Sequence, residues 1–371
     1  MGSASSFSMT STFGDQSDTT ALFSAADRNL GLPAHRKLTS ECWEATGYAS
    51  HYGGLDELTR YAGMNKNLPL RFEATWTHGI IEPWRYQRYP FQLLFGVRHD
   101  PHRLILVVDN EQKNRLTKLG YDNVHAIGSP YIYAKPRFLS RRITGSVLLM
   151  PPHTLDGAPF TDETKMQAYC DYAACKYRDA GLTVYASIHS SCIKNRLWWP
   201  IFLRNKIPVV AGADHSDANS LRRIWHLFSQ FETVSSPASG VSIGSHVYYA
   251  LAAGCKVVLE GPGIGYTNEQ MLHDLSYRRE IARGEDSSND LDLIRATQEF
   301  ARQFERPASD QSLGNAMVGL HHKRSPSEIR SLLGWSRCKQ ITKQASLISS
   351  QLYFRAAMLA KKTGIKRPYP K

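Results

Sequence analysis

Short apolar runs alternate with stretches of helical spacing from about residue 70 to residue 260 of the chain. Apolar runs bounded by turn residues read as buried strands, and apolar residues recurring every third or fourth position read as helices. In the first half, 72–77 and 103–108 read as strands, 111–119 as a helix and 124–127 as a third strand. A bridge containing Pro and Arg follows over 129–142. The second series opens with a strand over 147–150 that ends at Pro151-Pro152-His153. It continues with a helix over 162–180, capped by Thr161 and stopped by Gly181, then strands over 182–188 and 207–211. A helix over 219–231, a short strand over 233–235, a helix over 244–253 closed by Gly254 and a strand over 256–259 complete it. Buried strands alternating with amphipathic helices imply parallel sheets covered on both faces. The expected fold class is therefore α/β, with two facing Rossmann-like doubly wound domains. Ligands in such sheets sit at the carboxyl ends of the strands, here in the cleft between the domains.

The expected organisation is a lead-in over 1–35, an acceptor-side domain over 36–140, a donor-side domain over 145–330 and a basic amphipathic helix and tail over 331–371. The lead-in is rich in Ser, Thr, Gly and Asp and shows weak periodicity, so it is expected to be poorly ordered. In the tail, Ile341, Ala345, Ile348, Leu352, Ala356 and Leu359 recur at helical spacing, and Lys339, Lys343, Arg355, Lys361 and Lys362 supply charge. Such a helix either packs back onto the domains as a brace, the reading favoured here, or lies on an anionic membrane. With the helix packed, the basic end Lys366-Arg367 can still touch lipid headgroups.

Composition narrows the classes. With 42% hydrophobic and 21% charged residues, the chain is neither mostly disordered nor collagen-like. No apolar stretch is long enough to span a bilayer. Lys and Arg number 45 against 33 Asp and Glu, a net +12. The last acid is Glu328, and nine Lys or Arg follow between Ser336 and Lys371, so much of the excess sits in the tail. That distribution suits a local contact with phosphate-rich surfaces rather than a uniformly basic protein, and on charge alone nucleic acid, anionic lipid and plain solubility all stay open; no specific nucleic-acid partner is expected. The six cysteines form no CxxC pair and no zinc spacing, and they read as scattered thiols of a cytoplasmic protein. The start carries no secretory signal pattern, although it fits the permissive myristoylation pattern.

Candidate chemistry gathers in three stretches. The first runs from Ser235 to Gly263: a strand, a Ser- and Gly-rich turn, then a helix of small residues. Helix N-termini present free N–H groups and partial positive charge, so they bind phosphate. Gly240 and Gly244 let backbone approach a ligand, Ser242 and Ser245 offer hydroxyls, and His246 lies in the first turn. Glu260, at the end of the next strand, could accept from a ribose or could be a solvated carboxylate. The second stretch places His78 and Gly79 at a strand end, with Glu82 close behind. An imidazole there can act as general base on an acceptor hydroxyl, with Glu82 orienting it or serving as base itself. The third places His153 beyond the strand over 147–150, able to stabilise a leaving phosphate. His189, after the next strand, is a weaker candidate. Asp214-His215-Ser216-Asp217 reads as a loop and helix cap before it reads as a metal cluster.

No GxGxxG follows a strand and no P-loop pattern occurs, which disfavours dinucleotide oxidoreductases and P-loop hydrolases. Gly240-Val241-Ser242-Ile243-Gly244 spells the GxSxG of a hydrolase elbow, but an elbow needs the strand to run straight into the serine. The combination resembles the GT-B class of glycosyltransferases, and among them bacterial enzymes that build capsule, lipopolysaccharide or teichoic-type polymers. Trp76-Thr77-His78-Gly79 is similar to the Trp-His-Gly motif of CDP-glycerol glycerophosphotransferases, with an extra Thr. Pro152-His153 and the serines 242 and 245 are similar to the His-Pro and serine motifs by which sialyl- and Kdo-type transferases hold a CMP donor, with the order reversed. The resemblance covers about residues 70 to 265.

What it implies is transfer of a sugar from a nucleotide-activated donor to a hydroxyl of a surface polysaccharide or lipid-linked acceptor. His78 would take the proton, while the helix start over 242–246 and His153 hold the departing phosphate. No metal and no cofactor beyond the nucleotide-sugar co-substrate is implied, and the expected location is cytoplasmic, peripheral at the inner membrane face. The rival readings are a CDP-polyol phosphotransferase, a nucleotide-sugar epimerase, a serine hydrolase using Ser242 and a non-catalytic polyanion-binding protein.

Overall fold

A computed structural model of the protein describes residues 23, 25–36, 38, 52–65, 72, 74–77, 79–94, 100–138, 141–153, 162–237, 243–264, 290–339, 341, 342, 345 and 349. Two sheets, parallel throughout, organise them. The first contains β1 (Thr75–Trp76), β2 (Ile105–Val107) and β3 (Val124–Ala126), side by side in chain order. The second contains β4 (Ile143–Leu149), β5 (Thr183–Ile188), β6 (Val209–Ala211), β7 (Phe231–Ser236) and β8 (Lys256–Leu259), in the spatial order β6-β5-β4-β7-β8. The chain winds outward from β4 to β6, then crosses back to add β7 and β8 on the other side of β4. This is the doubly wound order, and its winding reverses between β4 and β7.

Helices among the described residues include α1 (Gly54–Tyr61), α2 (Pro83–Arg88), α3 (Asn110–Lys118), α4 (Glu163–Ala173), α5 (Ser190–Lys194), α6 (Trp199–Arg204), α7 (Ser220–Gln230), α8 (Ser245–Ala252), α9 (Leu291–Arg302), α10 (Gln311–Met317) and α11 (Pro326–Leu332). Side-chain caps start several of them. The Asp109 carboxylate accepts from the Gln112 N–H, and Asp290 accepts from those of Asp292 and Leu293. Ser325 and Glu328 form a reciprocal capping box with Pro326 in the first turn. In α7, Leu221, Ile224, Trp225, Leu227 and Phe228 are buried at helical spacing, which turns one face of the helix inward.

Several boundaries differ from the sequence expectation. Asp162 caps α4 by accepting from the Lys165 N–H, where Thr161 was expected; Thr161 lies outside the described residues. The helix then widens into a π turn over Ala174–Arg178. β7 is longer than the 233–235 run: Phe231 pairs with Ile143 and the polar Ser236 with Leu259, main-chain pairing that an apolar pattern does not mark. β1 is short, since only Thr75 and Trp76 find register partners, at Ile105 and Leu106.

One core runs through both sheets. It includes Trp76 and Leu106 of the first and Leu148, Val234 and Val257 of the second. At the junction the Tyr131 ring is stacked between Trp225 of α7 (centroids 4.4 Å apart) and Tyr249 of α8 (4.2 Å). Trp225 Nε1 donates to the Tyr131 carbonyl at 2.7 Å, and Tyr131 Oη donates to the Tyr249 carbonyl at 3.1 Å. Aromatic pairs of this kind add about 0.5–1.5 kcal/mol beyond area burial. A second core lies on the other face of the second sheet, with Val147, Leu149 and Ile188 against Tyr169, Trp198 and Phe202.

Past residue 290 the chain returns to the first sheet. Trp84 of α2 packs on Phe300 of α9 and donates to Thr297 Oγ1 at 3.2 Å. Arg330 of α11 donates to the carbonyl after α1, at Ala62. α9, α10 and α11 thus brace the two sheets. Residues 337–339, 341, 342, 345 and 349 are helical, and Ile341 is exposed. Ile348, Leu352, Ala356 and Leu359 of the expected apolar face lie outside the described residues. Among the described residues no helix is long and apolar enough to cross a membrane.

α10 meets the end of α8 at Gly314, where an added Cβ would stand 2.3 Å from the Ala252 nitrogen. Backbone cannot yield as a flexible side chain does. Gly314→Ala is expected to destabilise the protein by about 1–3 kcal/mol in urea unfolding, as overpacking does. An unchanged midpoint would show that the two helices part freely.

Candidate functional site

The carboxyl ends of β4 and β7 face outward at the reversal of winding, the place where doubly wound sheets take ligands. Beyond β4 the chain runs through Met150, Pro151 and Pro152 to His153, which is exposed. Beyond β7, after Pro237, the chain re-enters the described residues at Ile243 and Gly244 and turns into α8. Two bonds tie these ends together. Met150 N–H donates to the Ser235 carbonyl at 2.8 Å, and Ser236 Oγ donates to the Met150 carbonyl at 2.8 Å. Ser236 Oγ also lies 3.1 Å from His246 Nε2. Because the hydroxyl hydrogen is committed to Met150, the imidazole donates, which places its proton on Nε2. His246 Nδ1 then faces Gly244, where an added Cβ would lie 2.5 Å away.

The start of α8 has no side-chain cap. Its cap is Gly244, in extended conformation and with no side chain to offer the first-turn N–H groups. The neighbourhood is held by the first sheet. Ile80 N–H donates to Ser245 Oγ at 2.8 Å. Glu82 is buried, and its Oε1 accepts from the Ile243 N–H at 3.2 Å and from Tyr248 Oη at 3.4 Å. Burial raises the Glu82 pKa, opposed by Arg85 4.0 Å away and by these hydrogen bonds. The geometry therefore puts Glu82 under the helix start as an anchor. Gly79 turns the chain above Ser245 with φ +71°, where an added Cβ would be 2.8 Å from Ser245 Oγ.

Histidines from separate strand ends converge on the same edge. His153 and His189 stack with ring centroids 4.6 Å apart, and His189 and His215 meet edge-on at 4.9 Å. His189 Nδ1 accepts from the Ser191 N–H at 3.2 Å, which leaves its proton on Nε2, 3.3 Å from Tyr52 Oη. Tyr52 Oη lies 2.5 Å from His215 Nε2, so the phenol accepts from one imidazole and donates to the other. Burial, then His153 and His215, push the His189 pKa down to about 2. Burial and His153 push that of His246 down to about 4. Both rings are neutral at pH 7.

Two features of this edge have no periodic signal. Tyr52 has a left-handed backbone, φ +58°. Trp198 has φ 67°, ψ −57°, and the Trp199 N–H donates to the Leu197 carbonyl at 2.8 Å, the strained three-residue turn. Trp198 Nε1 donates to the Pro152 carbonyl at 3.1 Å, immediately before His153. Strain of this kind persists only where its surroundings over-determine it.

Other sequence candidates fall elsewhere. Glu260 accepts from Lys176 and Tyr177, both in the π turn, and lies 3.4 Å from Ser235 Oγ. His78, Gly240 and Ser242 lie outside the described residues. The 214–217 loop is a bonded turn: Asp214 accepts from Ser216 and lies 2.8 Å from His35, and Asp217 accepts from Arg36 and Asn219. Among the described residues no group of three His, Cys, Asp or Glu is placed to hold a metal ion. A cavity of about 380 Å³ lined by Phe23, Asn29, Tyr185, Lys206 and Val209 opens beside the start of β6, away from these strand ends.

No family model and no curated protein matches the chain in sequence. Among solved structures, one described as a UDP-N-acetylglucosamine 2-epimerase from Listeria monocytogenes is similar at TM-score 0.29 and 10% identity, over 86% of this chain and 81% of that one. A TarM variant from S. aureus in complex with fondaparinux, α-GlcNAc-glycerol and UDP is similar at TM-score 0.28 and 11% identity, over 72% of this chain and 51% of that one. A second TarM structure scores 0.26 at 11% identity, over 79% and 53%. The chain spans about half the length of the TarM structures. Likeness at these scores assigns neither fold nor activity, so the functional reading rests on the site itself.

The neutral histidines make stability depend on pH. In the unfolded chain His246 titrates near 6.5, in the folded protein near 4. Between those values the unfolded state binds more protons, so the stabilisation is present above about pH 6.5 and is lost as pH falls towards 4. Glu57 and Glu82, raised by burial, act with the opposite sign. Comparison with His246→Gln isolates the histidine. The wild type should lose stability relative to the variant by up to about 1.4 kcal/mol per pH unit across that window, in urea unfolding. Parallel profiles would show that His246 titrates freely.

Proposed function

We propose that this chain is a glycosyltransferase that moves a sugar from a nucleotide-activated donor to an acceptor hydroxyl. The observation that carries the reading is the uncapped start of α8 at the reversal of winding between β4 and β7, with His246 in its first turn, His153 beyond the end of β4, and the helix start seated against the Gly79–Glu82 turn of the first sheet. An anion held there meets main-chain N–H groups, the helix dipole and two imidazoles. A departing nucleotide phosphate needs these stabilising groups.

In this reading the acceptor oxygen forms a bond to the anomeric carbon as the bond from that carbon to the phosphate oxygen breaks. The acceptor proton goes to a base, and the nucleotide leaves with the electron pair. His78 is proposed as that base; its chain neighbours Thr77 and Gly79 close β1 and lead into the turn above Ser245. Glu82 contributes by holding the helix start. The acceptor is proposed as a hydroxyl of a surface polysaccharide or glycolipid. A cytoplasmic location at the inner membrane face, with Lys366-Arg367 on anionic headgroups, belongs to the same proposal; those two residues lie outside the described ones.

A thermal-shift screen of UDP-, GDP-, CMP- and CDP-linked sugars tests the reading. One class should raise the melting temperature, and His153→Gln and Ser245→Ala should reduce the shift. His78→Ala should keep donor affinity and lose turnover, read as released nucleotide in the presence of acceptor. No shift with any class, or a shift untouched by both variants, would overturn the assignment.

A further inference from the structure

We propose that His153 and His246, backed by His189, form a seat for a phosphate-class anion that takes up a proton together with its ligand. The inference deepens the donor-site reading and rests on it for the identity of the natural ligand.

Three imidazoles arrive from three different strand ends. His153 follows β4, His189 follows β5, and His246 follows β7 in the first turn of α8. His189 is fixed as a neutral ring, because the Ser191 N–H donates to its Nδ1 and Tyr52 receives its Nε2 proton. It forms the floor against which His153 stacks at 4.6 Å. His246 donates from Nε2 to Ser236 and presents Nδ1 towards Gly244, at the opening of the helix. A second proton can therefore settle only on the side of the ring that faces the helix start.

That proton is opposed in the free protein. Burial, the charge of His153 and the positive end of the α8 dipole all disfavour an imidazolium at His246. The groups facing His189 are Tyr52, His153, His215, Asp214 and Lys194, of which only Asp214 is an acid. The carboxylates of this edge are held by other partners: Asp214 by Ser216 and His35, Glu82 by Ile243 and Tyr248, Glu260 by Lys176 and Tyr177. A doubly charged anion at the helix start reverses the balance. It offsets the dipole, pairs with both rings and raises the affinity of His246 for a second proton. Linkage then requires the reverse effect, that lower pH tightens the anion.

Sulfate is the cleanest probe, because it does not titrate near neutrality. Its affinity should be more than about tenfold higher at about pH 5 than at about pH 7.5, with chloride balancing ionic strength. In histidine Cε1–H NMR of the wild type, sulfate should move the His246 midpoint upward from about 4. His153→Gln, at an exposed position, should flatten the pH dependence. Equal sulfate affinity at both pH values, or an unmoved His246 midpoint, would overturn the seat. Nucleotide-sugars, whose diester phosphates also do not titrate in this range, separate the two proposals. If a nucleotide-sugar binds with pH-independent affinity, the seat falls and the donor site stands. If sulfate binds with proton uptake and no nucleotide binds, the seat stands and the donor site falls.

Discussion

Everything at the carboxyl edge of the second sheet depends on a seam in which the first sheet holds the start of α8. Ser245 receives the Ile80 N–H, and buried Glu82 receives the N–H of Ile243 and the hydroxyl of Tyr248. A carboxylate left in such a place without partners would cost several kcal/mol, so these bonds fix its position. Carboxylate and helix start constrain each other. The N–H of Ile243 is consumed by Glu82, while the N-terminal cap itself is a glycine with nothing to donate or accept from a side chain. The first turn of α8 is thus left without a side-chain cap.

The seam works because the sheets share a core. The stack of Trp225, Tyr131 and Tyr249 holds the turn after β3 against both α7 and α8, and α10 closes over the far end of α8 at Gly314. On the other side, Trp198 accepts an unfavourable backbone to place its indole on the Pro152 carbonyl, and Tyr52 does the same to bridge His189 and His215. The strained backbones of Tyr52 and Trp198 and the neutral imidazoles of His189 and His246 lie where β5 and β7 end. Such arrangements cost stability, and they persist at sites where pre-organisation serves binding.

The second sheet was legible from its apolar runs, and β8 falls on the expected 256–259. Gly244, Ser245, His246 and His153 were legible as candidates because each follows a strand or opens a helix, a local signal. The role of Glu82 was not: its partners lie about 160 residues away, and no spacing marks a carboxylate as an anchor rather than a base. Tyr52, Ser236 and Trp198 were invisible for the same reason, since their meaning lies in contacts across the chain. The π turn that brings Lys176 and Tyr177 to Glu260 keeps an ordinary helical pattern in sequence, so nothing announced it.

If ligand binds where β4 and β7 part, amide hydrogen exchange with and without each nucleotide-sugar class will show it. Slowed exchange is expected in peptides covering 243–252, 146–153 and 186–191. Slowing confined to the peptides around Asn29 and Lys206 that line the cavity beside β6, or no slowing with any class at saturating concentration, would contradict it.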